Sequence, residues 1–472
     1  MHIEQIYTGC LAQGAYYITS NGEAAIIDPL RETKPYTDRL QKDGVILKYI
    51  FETHFHADFV SGHIDLSRKT GAPIVFGPNA SCGFDCISAK DGTEFKIGEL
   101  TIKVLHTPGH TLESTTYLLK DANGKDHCIF SGDTLFLGDV GRPDLAQKAA
   151  HMTQDELAGI LYNSLMTKIM PLADDVIVYP AHGAGSACGK NMMKETVDTL
   201  GNQKKMNYAL NQPSPEAFVK AVTEGLQPPP AYFGLNVAMN KNGYENFDSV
   251  LNNGMRALSP DEFEAAAENT EALVLDARPA AEFYKGFIPQ SVNIGLNGDF
   301  APWVGALIAD VNQPILLVTE TGREEEAVTR LSRVGFDNIT GHLKGGFAAW
   351  LESGKEADVV DRISPEQFEQ GVEIGKDKVL DIRKETEYAA EHLEGSYNRP
   401  LAYINEWIKD IDPEEHFYLH CAGGYRSMIA SSILQARGYR NFTEISGGFD
   451  AIRKTGLPRT DFVCQSKLMK AD

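Results

Sequence analysis

Four short clusters of histidine and aspartate, each directly behind an apolar run, constrain the N-terminal half of this sequence most strongly. The first cluster, 53–59 (Thr-His-Phe-His-Ala-Asp-Phe), follows the strand-like run 47–51, and later clusters supply His110, Asp133 and His182. Strand ends in a layered α/β fold expose side chains to a cleft, so we expect these groups to meet. Imidazole nitrogen and carboxylate oxygen suit zinc or ferrous iron. The pattern therefore predicts a metal site rather than a loop of surface histidines.

This series of motifs resembles the metallo-β-lactamase superfamily, in its glyoxalase II and persulfide dioxygenase branch, over roughly residues 1–230. The alternation of strand, hairpin and helix patterns in this region also fits an αββα sandwich. One position departs from the hydrolase pattern, because Phe59 stands where glyoxalase II-type hydrolases carry a histidine that holds a second metal. Asp58 and His182 alone would hold a second metal poorly, which favours a single-metal site.

The length and net charge of the chain limit the number of domains and the classes of partner. Its 472 residues are enough for about three domains of roughly 150 residues each. The net charge of −21 argues against nucleic acid or an anionic membrane as a partner. The N-terminus lacks the basic and apolar regions of a signal peptide, and no apolar run approaches the ~20 residues of a membrane span.

The cysteines do not suggest a disulfide framework, because their number is odd and they are scattered. They stand at Cys10, Cys82, Cys86, Cys128, Cys188, Cys421 and Cys464. Cys82 and Cys86 also lack the Cys-x-x-Cys spacing and the second pair of a structural zinc site. We therefore expect reduced thiols and a cytoplasmic enzyme.

The second half of the chain is an internal repeat with a period of about 102–105 residues. That period is too long for a solenoid unit and suits a duplicated small domain. The segments 258–263 and 274–278 recur as 363–368 and 379–383. Each copy alternates strand-like and helix-like runs, which predicts a small doubly wound α/β domain. The predicted organisation is a first domain at 1–235, a linker at 236–255, the copies at 256–356 and 357–462, and a tail at 463–472.

The second copy carries a cysteine in a glycine-containing loop, where an apolar strand ends and a helix begins. Backbone N–H donors of this loop and Arg426 should lower the thiol pKa of Cys421 and stabilise a persulfide anion on it. The alternative is a buried cysteine before a tight turn. The remaining loop residues are Ala422, Gly423, Gly424, Tyr425 and Ser427.

This copy resembles the rhodanese sulfurtransferases. Four residues separate Cys421 from Arg426, where cysteine phosphatases of similar architecture have five, and the narrower loop favours sulfur over phosphate. Asp381 and Arg383 match the rhodanese Asp-x-Arg element, which we interpret as support for the loop.

The first copy lacks the nucleophile. Counting back from Gly335, which matches Gly438, we expect Val318 in the place of Cys421. The loop that follows has no thiol and three consecutive acids, 324–326, which would disfavour an anionic persulfide. We predict an inactive rhodanese-like module that spaces or docks the other two domains.

The whole order resembles the multidomain persulfide dioxygenase–sulfurtransferases, and the resemblance implies roles for individual residues. His54, His110 and Asp133 would form a facial triad on one Fe(II) per chain, with zinc possible in isolated protein. His56, Asp58 and His182 would orient these ligands and carry protons. Arg142 is a candidate for gripping a substrate carboxylate, and Asp144 for holding its loop. The residues to which the resemblance gives a role at the metal cleft are His54, His56, Asp58, His110, Asp133, Arg142, Asp144 and His182.

The implied reaction is RSS⁻ + O2 + H2O → RSH + HSO3⁻ on a low-molecular-weight thiol persulfide. Cys421 would then pass a sulfane sulfur to sulfite, giving thiosulfate, or run the reverse. Cys188, in the glycine-rich segment behind His182, could carry sulfur at the metal cleft if it is partly exposed. Otherwise it is a packed thiol. Relatives suggest a homodimer or homotetramer. The alternatives are a glyoxalase II-like zinc thioester hydrolase with a rhodanese appendage and a non-enzymatic sulfur carrier or persulfide sensor.

Overall fold

Two six-stranded sheets that pack face to face form the N-terminal part of this computed structural model, which describes residues 1–226 and 228–463. Neighbouring strands of the first sheet are β1 (His2–Thr8), β2 (Gln13–Ser20), β3 (Glu23–Ile27), β4 (Ile46–Phe51), β5 (Ile74–Phe76) and β6 (Ile87–Ser88). Those of the second sheet are β7 (Glu94–Ile97), β8 (Leu100–His106), β9 (Thr115–Lys120), β10 (Asp126–Gly132), β11 (Ile177–Pro180) and β12 (Asp198–Thr199).

Seven α-helices lie between and after the strands in the described part of this region. They are α1 (Lys34–Asp43), α2 (His63–Thr70), α3 (Gln147–Ala150), α4 (Gln154–Ser164), α5 (Leu200–Met206), α6 (Pro215–Thr223) and α7 (Phe233–Asn242). Aromatic side chains such as Phe51 and Tyr117 fill the space between the sheets. Leu161 of α4 and Phe218 of α6 pack on the second sheet, and Leu40 of α1 packs on the first. The αββα sandwich predicted from the sequence is confirmed.

The two copies of the repeat form five-stranded parallel sheets with the same strand order. In spatial order the first has β13 (Ala257–Leu258), β17 (Ile339–Leu343), β16 (Ile315–Val318), β14 (Leu273–Asp276) and β15 (Val292–Asn293). The second has β18 (Arg362–Ile363), β22 (Phe442–Ile445), β21 (Phe417–His420), β19 (Lys378–Asp381) and β20 (Tyr397–Asn398).

Helices follow the strands of each copy, so the predicted doubly wound α/β domains are confirmed. The helices are α8 (Phe247–Gly254), α9 (Pro260–Thr270), α10 (Ala280–Phe283), α11 (Phe300–Leu307), α12 (Glu324–Ser332), α13 (Gly346–Glu352), α14 (Pro365–Gly371), α15 (Glu385–Ala390), α16 (Ile404–Trp407), α17 (Tyr425–Ala436) and α18 (Gly448–Ile452). The repeated Ser-Pro element starts α9 and α14, where Ser259 and Ser364 each form a capping box.

The chain divides into two units, and the boundary between them falls within the predicted linker, 236–255. The first unit comprises Met1–Phe247 and Ser332–Gly335, and the second comprises Asp248–Leu331 and the chain from Phe336. Most of the predicted linker, 236–255, is helical and lies in α7 and α8. Pro228, Pro229 and Pro230 precede α7 and Gly243 follows it, so they delimit the helix, while Gly234 is accommodated in its first turn. Of the predicted tail, residues 464–472 lie outside the described residues.

A disulfide joins Cys82 to Cys86, so the expectation of reduced thiols is wrong for this pair. The loop behind β5 brings the two Cα atoms to 6.4 Å, a separation that a disulfide spans. The sequence spacing alone could not reveal that turn. Within the described chain the other cysteines, Cys10, Cys128, Cys188 and Cys421, are free thiols. None of the helices in the described ranges is long and apolar enough to cross a bilayer.

Candidate metal centre and cysteine loop

Strand ends deliver the candidate ligands to one edge of the sandwich. His54 follows β4, while His110, Asp133 and His182 follow β8, β10 and β11, which run in the same direction. Each of the four side chains is at most 2% exposed. The structure thus brings together the side chains that strand-end position singled out.

His54, His110 and Asp133 form a group whose ligand atoms all lie within 4.8 Å of one another. Asp133 Oδ2 lies 3.4 Å from His110 Nε2 and 3.9 Å from His54 Nε2. Among the described residues, neither oxygen of this buried carboxylate has a hydrogen-bond partner. Because a buried charge is costly unless compensated, the orphaned carboxylate beside two imidazoles fits a bound cation.

Hydrogen bonds behind each imidazole determine which nitrogen faces the cleft. His110 Nδ1 lies 2.8 Å from the carbonyl oxygen of Arg142, which can only accept, so Nε2 is free to bind a metal. Thr53 Oγ1 donates to Asp28 (2.9 Å), so it accepts from His54 Nδ1 at 3.0 Å. Burial, reinforced by the neighbouring histidines, holds the pKa of His54 well below its usual value, and a neutral imidazole can ligate.

His56, Asp58 and His182 form a second group beside the triad. His182 Nε2 lies 3.4 Å from Asp58 and 3.6 Å from Asp133. His56 Nε2 instead lies 3.1 Å from Asp28 Oδ1. The fully buried ring of Phe59 packs on His56, with 4.3 Å between the centroids, and offers no ligand atom.

Asp28, Glu52 and His63 extend this cluster into the protein, and the sequence analysis missed all three. Glu52 Oε2 lies 3.4 Å from His56 Nε2, and Glu52 Oε1 lies 3.5 Å from His63 Nδ1. Burial lowers the pKa of His56, but Asp28 and Glu52 outweigh it and raise that pKa well above the usual value. Burial also raises the pKa of Glu52 to about 7. The available signal was position, because Asp28 directly follows β3 and Glu52 directly follows β4.

Arg142 ties two loops together at the cleft. Its guanidinium donates to both oxygens of Asp144, at 2.7 Å each, and to the carbonyl of Ala187 at 3.1 Å. Its backbone N–H donates to the carbonyl of Cys188 at 3.1 Å. Only 5% of the residue is exposed. Asp144 therefore holds the guanidinium that the sequence analysis assigned to a substrate carboxylate.

Cys188 is 1% exposed, so the partial exposure that the sulfur-carrying hypothesis required is not met. It does lie at the centre, in a group with Asp133 and His182 whose ligand atoms are within 4.8 Å. Burial, with the nearby carboxylates of Asp58 and Asp133, raises the pKa of the Cys188 thiol well above its usual value. A thiol that stays protonated is a poor nucleophile.

In the second unit, Cys421 lies in the loop that leads from β21 into α17. Its Sγ accepts a hydrogen bond of 3.1 Å from the backbone N–H of Gly424, whose φ of 101° suits glycine. The N-terminus of α17 adds a positive partial charge beside the sulfur. A Cβ on Gly448 would lie 2.4 Å from the Cys421 carbonyl, so glycine allows α18 to approach the loop.

The other loop residues differ in their contacts. Ala422 accepts a hydrogen bond from the backbone of α18, Gly423 is exposed, and Ser427 Oγ lies 3.5 Å from Cys421 Sγ. Arg426 forms a bidentate pair with Glu387 of α15, at 2.6 and 2.8 Å. The sequence analysis did not identify Glu387 as its partner.

Asp381 and Arg383 support the loop from the neighbouring strand end. The guanidinium of Arg383 pairs with both oxygens of Asp381 and donates to the carbonyl of Glu391 at 2.9 Å. The first copy repeats this pair as Asp276 and Arg278.

In the first copy the residue in the place of Cys421 is Thr319, not Val318. Val318 pairs with Asp276 in its sheet as His420 pairs with Asp381 in the other. The count back from Gly335 fails because the segment before Gly335 is shorter than its counterpart before Gly438. Threonine also lacks a thiol, so the copy still has no sulfur nucleophile at this loop.

Comparison with known proteins divides the chain in the same way. The metallo-β-lactamase superfamily matches residues 8–81, and the rhodanese-like domain family matches residues 259–353 and 364–455. The human mitochondrial persulfide dioxygenase ETHE1 is 31% identical over 220 residues, which are 46% of this chain and 78% of that protein. A hydroxyacylglutathione hydrolase of Tolumonas auensis is 33% identical over 171 residues, 35% of this chain and 60% of that protein. A crystal structure of a Staphylococcus aureus COL metallo-β-lactamase is 29% identical with a TM-score of 0.66, covering 73% of this chain and 99% of that one.

Proposed function

We propose that this chain oxidises a thiol persulfide to sulfite. The chain belongs to the metallo-β-lactamase superfamily, in the family of persulfide dioxygenase ETHE1, and it carries two rhodanese-like domains. Its substrate would be a low-molecular-weight persulfide, with O2 as co-substrate. The observation that carries the proposal is the Asp133 carboxylate, orphaned among the described residues beside His54 and His110.

The donor set supports iron. Two imidazoles and one carboxylate form the facial ligand set of non-haem iron oxygenases, and an Fe(II) ion held by them would bind O2 and a substrate sulfur at its open positions. The chain's own residues fix the ligands beforehand, because the Arg142 carbonyl and Thr53 hold the far nitrogens of His110 and His54. Burial of all three ligands keeps bulk water away from them. One iron per chain is proposed, with zinc able to occupy the same ligands in isolated protein.

Groups around the triad would orient it and shape the substrate cleft. His182 lies against Asp133 and is placed to orient that carboxylate, and Asp58 lies against His182 and would orient its imidazole. Arg142 remains a candidate for a substrate carboxylate, which it would reach by exchanging part of its pair with Asp144. Cys188, as a buried thiol between these groups, would line the cleft rather than carry sulfur.

The second rhodanese-like domain would transfer sulfane sulfur through Cys421. A Cys421 thiolate attacks the outer sulfur of a donor, the donor's sulfur–sulfur bond breaks, and the donor leaves as thiolate or sulfite. The outer sulfur then passes to an acceptor such as sulfite, which yields thiosulfate and restores the thiolate. The N–H of Gly424 supports this role because it can stabilise the thiolate.

A thioester hydrolase of the glyoxalase II type is the second candidate, because a hydroxyacylglutathione hydrolase is 33% identical over 171 residues. Phe59 argues against it, since it supplies no ligand for a second metal. The two functions are separated by testing one preparation for O2 uptake with a thiol persulfide and for hydrolysis of a glutathione thioester. Hydrolysis without O2 uptake would favour the hydrolase.

A cytoplasmic location and a homodimeric or homotetrameric state stay predictions from the sequence. Sedimentation of the full chain would measure the oligomeric state.

A further inference from the structure

A buried carboxylate lies behind Cys421, and the proposed sulfur transfer has so far given it no role. Glu444, on β22, is 0% exposed. Ser427 Oγ donates to Glu444 Oε1 at 2.6 Å and lies 3.5 Å from Cys421 Sγ. Sulfur, hydroxyl and carboxylate therefore form a continuous buried line.

The charged group that faces Glu444 is Arg362 of β18, whose Nε lies 2.7 Å from Oε2. The Arg362 guanidinium also stacks on the ring of Tyr284, 4.7 Å from its centroid. On the other neighbouring strand, burial lowers the pKa of His420, so that imidazole is neutral near pH 7. The Ser427 hydroxyl of α17 also contacts the Glu444 carboxylate. Burial outweighs Arg362 and Ser427 and raises the pKa of Glu444 to about 7.

The single hydroxyl proton of Ser427 cannot serve both neighbours at once. An ionised Glu444 is an acceptor only, so the proton points to it and the oxygen lone pairs face the sulfur. A protonated Glu444 can donate to Ser427, which frees the hydroxyl proton to point at a Cys421 thiolate. The two arrangements differ by one proton passed along the line.

We propose that Ser427 and Glu444 form a proton relay for Cys421. The thiol proton moves to Ser427 Oγ while the hydroxyl proton moves to Glu444, which leaves a thiolate and a neutral carboxylic acid. No electrons are exchanged in this step. The stored proton returns along the same line when Cys421 gives up its outer sulfur and becomes a thiol again.

The relay rests on the proposed sulfur transfer, in which Ser427 contacts the reacting sulfur. Glu444 is a positioning residue, because it acts through Ser427. Arg362 keeps the carboxylate oriented in both protonation states and, as a permanent cation, limits the cost of ionising it in a buried place.

The test is the rate at which iodoacetamide alkylates Cys421 as a function of pH, followed by mass spectrometry of the Cys421 peptide in the full-length protein. In wild type the alkylation rate should rise with pH in two steps, because ionisation of Glu444 turns the Ser427 proton away from the Cys421 thiolate. Glu444→Gln, whose amide can always donate to Ser427, should show one step displaced to lower pH by about one unit. Ser427→Ala removes the donor and should shift the single step to higher pH by about one unit.

Ser427→Ala leaves the pair of Glu444 and Arg362 intact, so it tests the relay even if Glu444→Gln folds poorly. Ser431→Ala is the matched control, because it removes another fully buried hydroxyl from α17. Its profile should equal that of wild type. Shifts of opposite sign in the two variants support the relay, whereas unchanged profiles in both overturn it. Alkylation does not require a sulfur acceptor, so the expected shifts without thiosulfate formation would count against the sulfurtransferase assignment alone.

Discussion

Asp133 Oδ2 lies 3.4 Å from His110 Nε2, and within the described part of the chain neither oxygen of that carboxylate receives a hydrogen bond. A carboxylate buried to this degree is normally paired or hydrogen-bonded. The arrangement is therefore organised for a cation that the carboxylate and two imidazoles hold together. The predictions on the first unit follow from this relationship.

Asp133→Ala should abolish iron retention. Removing the anion leaves two neutral imidazoles, so bound iron should fall from about one per chain to less than a tenth of that. Elemental analysis after anaerobic purification measures the content, and O2 uptake should disappear with it. Asp155→Ala is a control, since it removes an exposed carboxylate outside the metal centre. Equal iron in Asp133→Ala and wild type would exclude the proposed ligand set.

The wild-type centre should hold a single metal because Phe59 offers no ligand atom. Phe59→His should raise the metal content toward about two per chain when the protein is loaded with zinc, as a new nitrogen joins Asp58 and His182. Phe55→His, at another buried phenylalanine of the same segment, is the matched control and should not. Two tightly bound metals in wild type would contradict the single-metal account.

The two chemistries should be separable. Cys421→Ser cannot carry a persulfide, so it should keep O2 uptake while sulfite accumulates in place of thiosulfate. His54→Ala should keep sulfur transfer from thiosulfate to a thiol and lose O2 uptake. Thr319→Ala should change neither activity, because the first copy has no thiol at the corresponding position. Thiosulfate formation that survives Cys421→Ser would refute the assignment of the second copy.

Asn240→Ala should destabilise the first unit. Asn240 Nδ2 donates to the carbonyls of His56 and Phe59, at 2.8 Å each, and its Oδ1 accepts from the N–H of Ser61 at 2.8 Å. Losing the side chain leaves buried backbone groups unsatisfied, at a cost of about 3 kcal/mol in the free energy of unfolding.

A lower midpoint for the first thermal transition of Asn240→Ala, with weaker metal retention, is the expected result. The exposed neighbour Asn242→Ala should unfold like wild type. If both variants unfold at the wild-type temperature, α7 does not hold the motif loop.

The triad could be predicted from the sequence because its position depends on local pattern. Each of His54, His110 and Asp133 lies within five residues of the end of an apolar run, and the edge of a layered fold then brings strand ends together. The same reasoning located Cys421, since a strand end followed by a glycine turn and a helix is also a local signal.

Partners that come from distant segments could not be predicted in this way. Glu444 meets Ser427 only because β22 lies beside β21 in the sheet, and Glu387 reaches Arg426 from another helix. Thr319 was missed because the segment between it and Gly335 is shorter than the segment between Cys421 and Gly438. Counting back from the matched glycines therefore leads to Val318 instead. The burial of Cys188 depends on how its loop packs on Arg142, which sequence spacing does not encode.

The measurement that tests the account most directly is O2 consumption by anaerobically iron-loaded protein on addition of a low-molecular-weight thiol persulfide. The account predicts uptake of one O2 for each sulfite formed, little uptake by zinc-loaded protein and none by Asp133→Ala. Iron-loaded wild type that retains its metal, consumes no O2 with any persulfide tested and hydrolyses a glutathione thioester would contradict it.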